Sequence, residues 1–342
     1  MLIEGLKFQF PVALLVFFLI TNIFAGSRIN GSCPKTLSVR NGHRLIYDSG
    51  RKKVVLFGGA DASQVLGDLW EWNGKGWRCL DSTPELARTF PAMAFDSDRK
   101  KIVLFGGNRV LFGKADDDEA FLDDTWEWDG KRWSKLEIKG PPARAEAVMV
   151  YDQKRKRAVL FGGYVSKDGQ TARFGDTWEF DGRSWKRVSV TGPSPRNGAA
   201  MIYDPNKERS VLFGGSGKPN GTWEWDGKNW SRTDTNEVEG VFNTVMAYDP
   251  KNKSIIRFGG WNGESRTGDT WKFDGKIWKS LDIDGPEARN HSAMVYDAAR
   301  DRMILFGGHD GENVFGDTWE FDGRKWSRKS FIAKQKRVEN GH

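Results

Sequence analysis

Ile102-Val-Leu-Phe-Gly-Gly107 and, further along, Asp124-Thr-Trp-Glu-Trp-Asp-Gly-Lys-Arg-Trp133 decide the fold. The first is a short apolar run rich in β-formers and stopped by two glycines, which reads as a buried strand. The second alternates Trp with Glu, reaches an Asp-Gly pair and resumes at another Trp. Asp-Gly between such runs is the strongest two-residue hairpin signal. Both stretches recur. Glycine pairs fall at Gly58-Gly59, Gly106-Gly107, Gly162-Gly163, Gly214-Gly215, Gly259-Gly260 and Gly307-Gly308, in steps of 48, 56, 52, 45 and 48 residues. A period near fifty is the mark of a propeller or solenoid.

Each unit holds four strands. Strand a runs into an aromatic-Asp pair such as Tyr47-Asp48, Phe95-Asp96 or Tyr296-Asp297. Strand b ends at Gly-Gly, strand c carries Trp-Glu-Trp or Trp-Glu-Phe, and strand d opens at the next Trp. Gly-Pro-rich joints such as Gly140-Pro-Pro-Ala-Arg144 separate the units. Four short strands in each of six units predict an all-β, six-bladed propeller with antiparallel blades. The blades are expected at about 40–82, 88–138, 144–190, 196–235, 241–283 and 289–331, with the last closing on the first. A connecting segment, 28–39, precedes them and a basic tail, 332–342, follows.

The Gly-Gly end of strand b, followed by aromatics around a tight c–d turn, resembles the kelch repeat. The likeness covers about Arg40 to Phe331 and is nearest the bacterial exported branch grouped with the central domain of galactose oxidase. It does not extend to the copper chemistry of that enzyme. The mature chain offers only His43, His291, His309 and His342, and its two cysteines lie outside the later blades. No Ser-His-Asp order, zinc spacing or phosphate loop is present, so no catalytic residue, metal or cofactor is assigned. The acidic run Asp116 to Glu119 reads as a solvated loop or, less simply, a Ca²⁺ site.

Fifteen of the sixteen Trp keep step with the repeat and read as packing between blades. Trp261 does not. It occupies the position after Gly-Gly, which reads Ala60, Asn108, Tyr164, Ser216, Trp261 and His309 around the ring. A position that varies while its frame repeats is where a rigid scaffold reads a ligand. In antiparallel blades the b–c loops and d–a joints share one face, and the uniform a–b and c–d turns share the other. Asn108, Tyr164, Trp261 and His309 are therefore ligand-binding candidates on the loop face. Arg40, Arg88, Arg144, Arg196 and Arg289 open strand a on that face, and Val241 breaks the series. They form either a basic ring for carboxylate or phosphate or a repeated ion pair with the Asp opening strand c. The missing Arg at Val241 predicts a gap beside Trp261.

Lys7, the apolar run Phe8 to Ile20, and Ala25-Gly26-Ser27 have the layout of a secretory signal spanning 1–27, cleaved after Ala25 or Ser27. Left uncleaved, the run would anchor the chain in a membrane. Export predicts a secreted or periplasmic protein, permits a Cys33–Cys79 disulfide as readily as two free thiols, and argues against a nucleic-acid partner despite a net charge of +7. The function expected is binding of a protein or glycan through the loop face. Two alternatives stand beside it. One is an enzyme resembling the periplasmic kelch sialic acid mutarotases, with His309 and Glu146 as available groups. The other is a structural envelope protein.

Overall fold

The structure is a computed structural model describing residues 32–111, 120–189, 191–218, 220–233 and 240–337. The expected signal segment and the acidic run at 116–119 lie outside the described residues. Six four-stranded antiparallel sheets follow one another along the chain, each in the order a-b-c-d. Blade one runs Arg44–Asp48, Lys53–Phe57, Asp68–Trp72 and Trp77–Ser82. Blade six runs Ala293–Asp297, Arg302–Phe306, Thr318–Phe321 and Trp326–Ser330. Strand a of each blade touches strand a of the next, and blade six touches blade one in the same way, so the wheel is closed.

The glycine pairs explain how neighbouring blades come close enough to pack. The second glycine N–H donates to the carbonyl of the residue opening the next blade, at 2.9–3.0 Å. The series is Gly59 to Arg88, Gly107 to Arg144, Gly163 to Arg196, Gly215 to Val241, Gly260 to Arg289 and, across the seam, Gly308 to Arg40. The first glycine has positive φ and lies under the same carbonyl. A Cβ on Gly106 would sit 2.7 Å from the Arg144 oxygen. No L side chain fits there.

Tryptophans then tie blade to blade. Trp185 Nε1 of blade three donates to Thr125 Oγ1 of blade two at 3.0 Å, and Trp230–Thr177, Trp278–Thr222 and Trp326–Thr270 repeat the bond. Trp77–Thr318, at 3.0 Å, carries it over the seam. The sixth is missing because blade one has Leu69 where the others have Thr, and Trp133 Nε1 is left without a partner among the described residues. The apolar core lies between blades. One such cluster, at the seam, gathers Leu37, Leu56, Trp70 and Phe306, with Ile332 against it. Cys33 and Cys79 form a disulfide that fastens the segment before blade one to that blade's outer strand. The tail adds a short strand, Gln335–Lys336, pairing with Asn313–Val314 in the b–c loop of blade six.

Candidate functional site

The varying positions after Gly-Gly share one face. Ala60, Asn108, Tyr164, Trp261 and His309 each bridge to the residue after the opening residue of strand a, namely Asn41, Thr89, Ala145, Phe242 and Asn290. Ser216 makes the equivalent backbone bond to Asn197. Two of the loops carrying them are ordered hairpins. In blade three Tyr164–Lys167 pairs with Gln170–Arg173. In blade five strands b and c lengthen to Ser254–Trp261 and Arg266–Phe273, with a bulge at Phe258/Gly260. Tyr164 and Trp261 are partly exposed, and the Arg266 guanidinium lies over the Trp261 ring at 5.0 Å. Asn108 is buried, its side chain hydrogen-bonded to Thr89.

The arginines of the ring face inward to structure. Arg88, Arg144 and Arg289, all at most 1% exposed, make bidentate pairs with Asp124, Asp176 and Asp317, as Arg40 does with Asp68. Each also donates to the first glycine carbonyl of its blade. Burial pushes those carboxyls up, but the guanidinium beside each more than offsets it and holds them below the usual range. Arg196 is equally buried. Gly221 stands in place of its Asp, and Arg196 donates to the Gly214 carbonyl and Ser194 Oγ. Burial pulls its pKa down to about 10. The gap expected at Val241 is filled. Arg257, from strand b of blade five where other blades have Leu, reaches the Gly259 carbonyl and Asp269, each at 3.1 Å. The same two acceptors are met from a different strand.

The groups that converge on the channel lie one residue further on. Two residues after the blade-opening position, all six blades are left-handed: Gly42, Phe90, Glu146, Gly198, Asn243 and His291, with φ from 52° to 67°. Their backbones join head to tail, with N–H donors from Gly42 to His291, Phe90 to Gly42, Glu146 to Phe90, Asn243 to Gly198 and His291 to Asn243. Four of the six are not glycine, although that region strongly favours it. The reversal turns their side chains over the channel, where Phe90, Glu146, Asn243 and His291 line a cavity of about 130 Å³ with Arg44.

The polar groups there form one network. Glu146, 3% exposed, accepts from Asn197 Nδ2 at 2.7 Å and faces His291 Nε2 at 3.5 Å. Asn243 Nδ2 lies 2.6 Å from the same imidazole nitrogen. His291 Nδ1 meets His309 Nε2 at 2.8 Å, and His309 Nδ1 accepts the Gly311 N–H at 3.1 Å. That last bond fixes the tautomers. With Nδ1 of His309 occupied, its proton sits on Nε2 and is given to His291, whose own Nε2 proton then faces Glu146, and the Asn243 amide beside it turns its oxygen to that N–H. Burial, with His291, Arg337 and Arg266 nearby, holds His309 far below the ordinary imidazole range, so His309 is neutral. Arg44 is partly exposed; desolvation lowers it to about 10 against the pull of Glu146, and it remains a cation at neutral pH. Among the described residues no cluster of His, Cys, Asp and Glu has metal-ligand geometry.

Of the sequence candidates, His309 belongs to this network and Tyr164 and Trp261 stand on its rim. Asn108 and the four arginines do not line the cavity. Glu146, His291, Asn243, Asn197 and Arg44 do the converging. For Glu146, Asn243 and His291 the signal was a second position, two after the blade-opening residue, that varies while the repeat holds.

Fold and site together define a six-bladed β-propeller with a polar cup at the loop-face end of its channel. No known family profile matches the chain. Among solved structures it is similar to one titled "Structure of YjhT", at 16% identity, over 87% of this chain and 99% of that one, with a TM-score of 0.65. The likeness is one of fold.

Proposed function

We propose that the protein is an exported binding scaffold that takes a hydroxyl-rich ligand, a glycan free or carried on a protein, at the loop-face mouth of its channel. The observation that carries this reading is the convergence of Glu146, Asn243 and His291, three different polar residues on a backbone ring that is the same in every blade. A carboxyl, an amide and an imidazole supply both donors and acceptors to a polyhydroxylated ligand. Tyr164 and Trp261 on the rim offer flat faces to the apolar side of a sugar ring. The test is capture by the mature chain on immobilised glycans and envelope extracts, repeated with Tyr164→Ala/Trp261→Ala and with Glu146→Gln. Both variants should lose capture. Trp261→Ala alone should melt within a few degrees of the parent, whereas Tyr164 packs edge-on against Phe121 of the neighbouring blade and its removal should lower Tm further. Capture that survives both variants, or a large drop in Tm for Trp261→Ala alone, overturns the reading.

The His309–His291–Glu146 relay favours a second reading, acid–base chemistry on a bound sugar acid, as in the kelch mutarotases. Monitoring anomer or epimer exchange of sugar acids by NMR decides it. Exchange no faster than in buffer retires that alternative.

A further inference from the structure

The channel has another mouth, and it is built from different chemistry. Three residues beyond the left-handed ring, strand a places Leu45, Met93, Met149, Met201, Met246 and Met294 at one level. These six line both the small polar cup and a second cavity of about 380 Å³ on the turn face, so they form the partition between the two. Two residues further down, the aromatic-Asp position supplies Tyr47, Phe95, Tyr151, Tyr203, Tyr248 and Tyr296, all lining the second cavity. Its walls are aromatic and its floor is thioether. Phenol groups turn sideways onto the a–b turns: Tyr151 donates to Asp98 of the preceding blade at 2.8 Å and Tyr296 to Asp301 of its own blade at 2.5 Å. Burial pushes Tyr203 and Tyr248 up to about 12, so these walls are uncharged at neutral pH.

The rim of this cavity is net basic. Each of the six a–b turns, 49–53, 97–101, 153–157, 205–209, 250–254 and 298–302, carries more Lys and Arg than Asp and Glu. Many are engaged, as Arg51 is with Asp48 and Arg155 with Asp152. Lys52, Lys100 and Lys253, at turn tips with positive φ, are exposed and make no ion pair among the described residues. An apolar funnel of this size under a ring of cations selects a ligand with a hydrophobic body and a negative end. Methionine suits such a floor because its unbranched, polarisable side chain adapts to different shapes.

We propose that the turn-face funnel is a second binding site, separate from the loop-face cup, for a small monomeric amphipathic anion: an aliphatic or aromatic body resting on the Met collar, with its carboxylate, sulfate or phosphate at the lysine rim. The occupant is a free amphiphile, since only a monomer can seat its whole body between the strands.

Titration calorimetry of the intact mature protein with hexanoate, octanoate and decanoate, below their micelle concentrations, tests this. Binding should be saturable at one per chain, should tighten about three- to fourfold per added methylene, and should weaken with salt. Decyltrimethylammonium should bind at least about tenfold more weakly than decanoate. Met149→Gln/Met246→Gln should weaken decanoate by about tenfold or more. Should that core variant unfold, the surface variant Lys52→Glu/Lys100→Glu/Lys253→Glu reports in its place, and it should reverse the preference toward the cation. Glu146→Gln, at the other mouth, should leave decanoate binding unchanged. No saturable binding, equal affinity for the cation, or loss of binding in Glu146→Gln would each overturn the assignment. So would uptake seen only when anionic vesicles are present, because that is the behaviour of a membrane surface.

Discussion

Thr125→Val is the sharpest test of how the wheel is held. Valine keeps the shape of threonine and removes only the hydroxyl that accepts Trp185 Nε1–H at 3.0 Å. Thr125 is 2% exposed and Trp185 8%, so no water stands ready to replace the lost acceptor. The expected cost is that of a buried donor left unpaired, about 1–3 kcal/mol. In a protein of this size each kcal/mol moves Tm by about 2–4 °C. Urea unfolding followed by Trp fluorescence should show a lower midpoint with an unchanged slope. A Thr125→Val/Trp185→Phe cycle should return a coupling near the single-mutant cost, since deleting both partners leaves nothing unpaired. The molecule supplies its own control. Trp133 faces Leu69 instead of Thr, and its Nε1 already has no partner among the described residues. Trp133→Phe should therefore cost clearly less than Trp185→Phe. A loss below about 0.5 kcal/mol for Thr125→Val, or equal costs for the two Trp→Phe changes, would refute the reasoning.

Asp176→Ala should destabilise by about 3–5 kcal/mol, because it strands the buried Arg144 charge and the Trp178 Nε1–H that Asp176 also accepts; thermal melts should show the drop, and a change near zero would mean the ion pair is incidental. Stability should fall on acidification for two reasons of the same sign. The paired Asp carboxyls have lowered folded pKa values, so their contribution is present above about pH 4 and is lost as pH falls through the folded value. His43, held well below its usual value by burial and then by Arg40 and Arg44, is neutral when folded. Its contribution is therefore present above about pH 6.5 and is lost below it, by up to about 1.4 kcal/mol per pH unit. His43→Phe should flatten the slope between pH 6.5 and 5 in urea-melt midpoints, and an unaltered slope would show that His43 is not the titrating group.

The fold was legible because its constraints repeat. Gly-Gly appears six times since each pair must pass beneath the next blade's carbonyl, and a single geometric need filtered every copy. The aromatic-Asp and Asp-Gly turns are visible for the same reason. Where two residues can meet one need, the sequence is ambiguous. Val241 looked like a gap, but Asp269 and the Gly259 carbonyl receive Arg257 from strand b. Nothing in the one-dimensional pattern shows that an Arg in strand b, at a position other blades fill with Leu, reaches the spot the blade-opening arginines reach elsewhere. The site was half legible. Variation after Gly-Gly pointed to the face that carries the cup and to His309, which bonds to His291 there. It also selected Asn108, which the Thr89 side chain takes up. Asn243 and His291 escaped, and Glu146 was named only as a group available to an enzyme, because the backbone reversal to positive φ that swings them over the channel is invisible in residue type.

That reversal separates scaffold from recognition. The ring around the mouth is joined through main-chain N–H and C=O groups, from His291 through Gly42 and Phe90 to Glu146 and from Gly198 through Asn243 to His291. Such bonds form whatever side chain is attached, provided that the residue tolerates φ near +55°. Strain of about 1–3 kcal/mol per non-glycine residue in such regions is borne by the Trp, Arg and Gly-Gly contacts between blades, which lie away from the cup. Side chains at these positions therefore vary as Gly, Phe, Glu, Asn and His while the main-chain ring stays the same. The four blades that depart from glycine are those that line the cup with ring, carboxyl, amide and imidazole. Gly42 and Gly198 lie against Phe90 and Phe242, whose rings a Cβ would approach to 2.9 and 2.4 Å. The chemical character of the cup is thus set by side chains that the main-chain ring does not specify, and the strained backbone beneath them is the reason to look there.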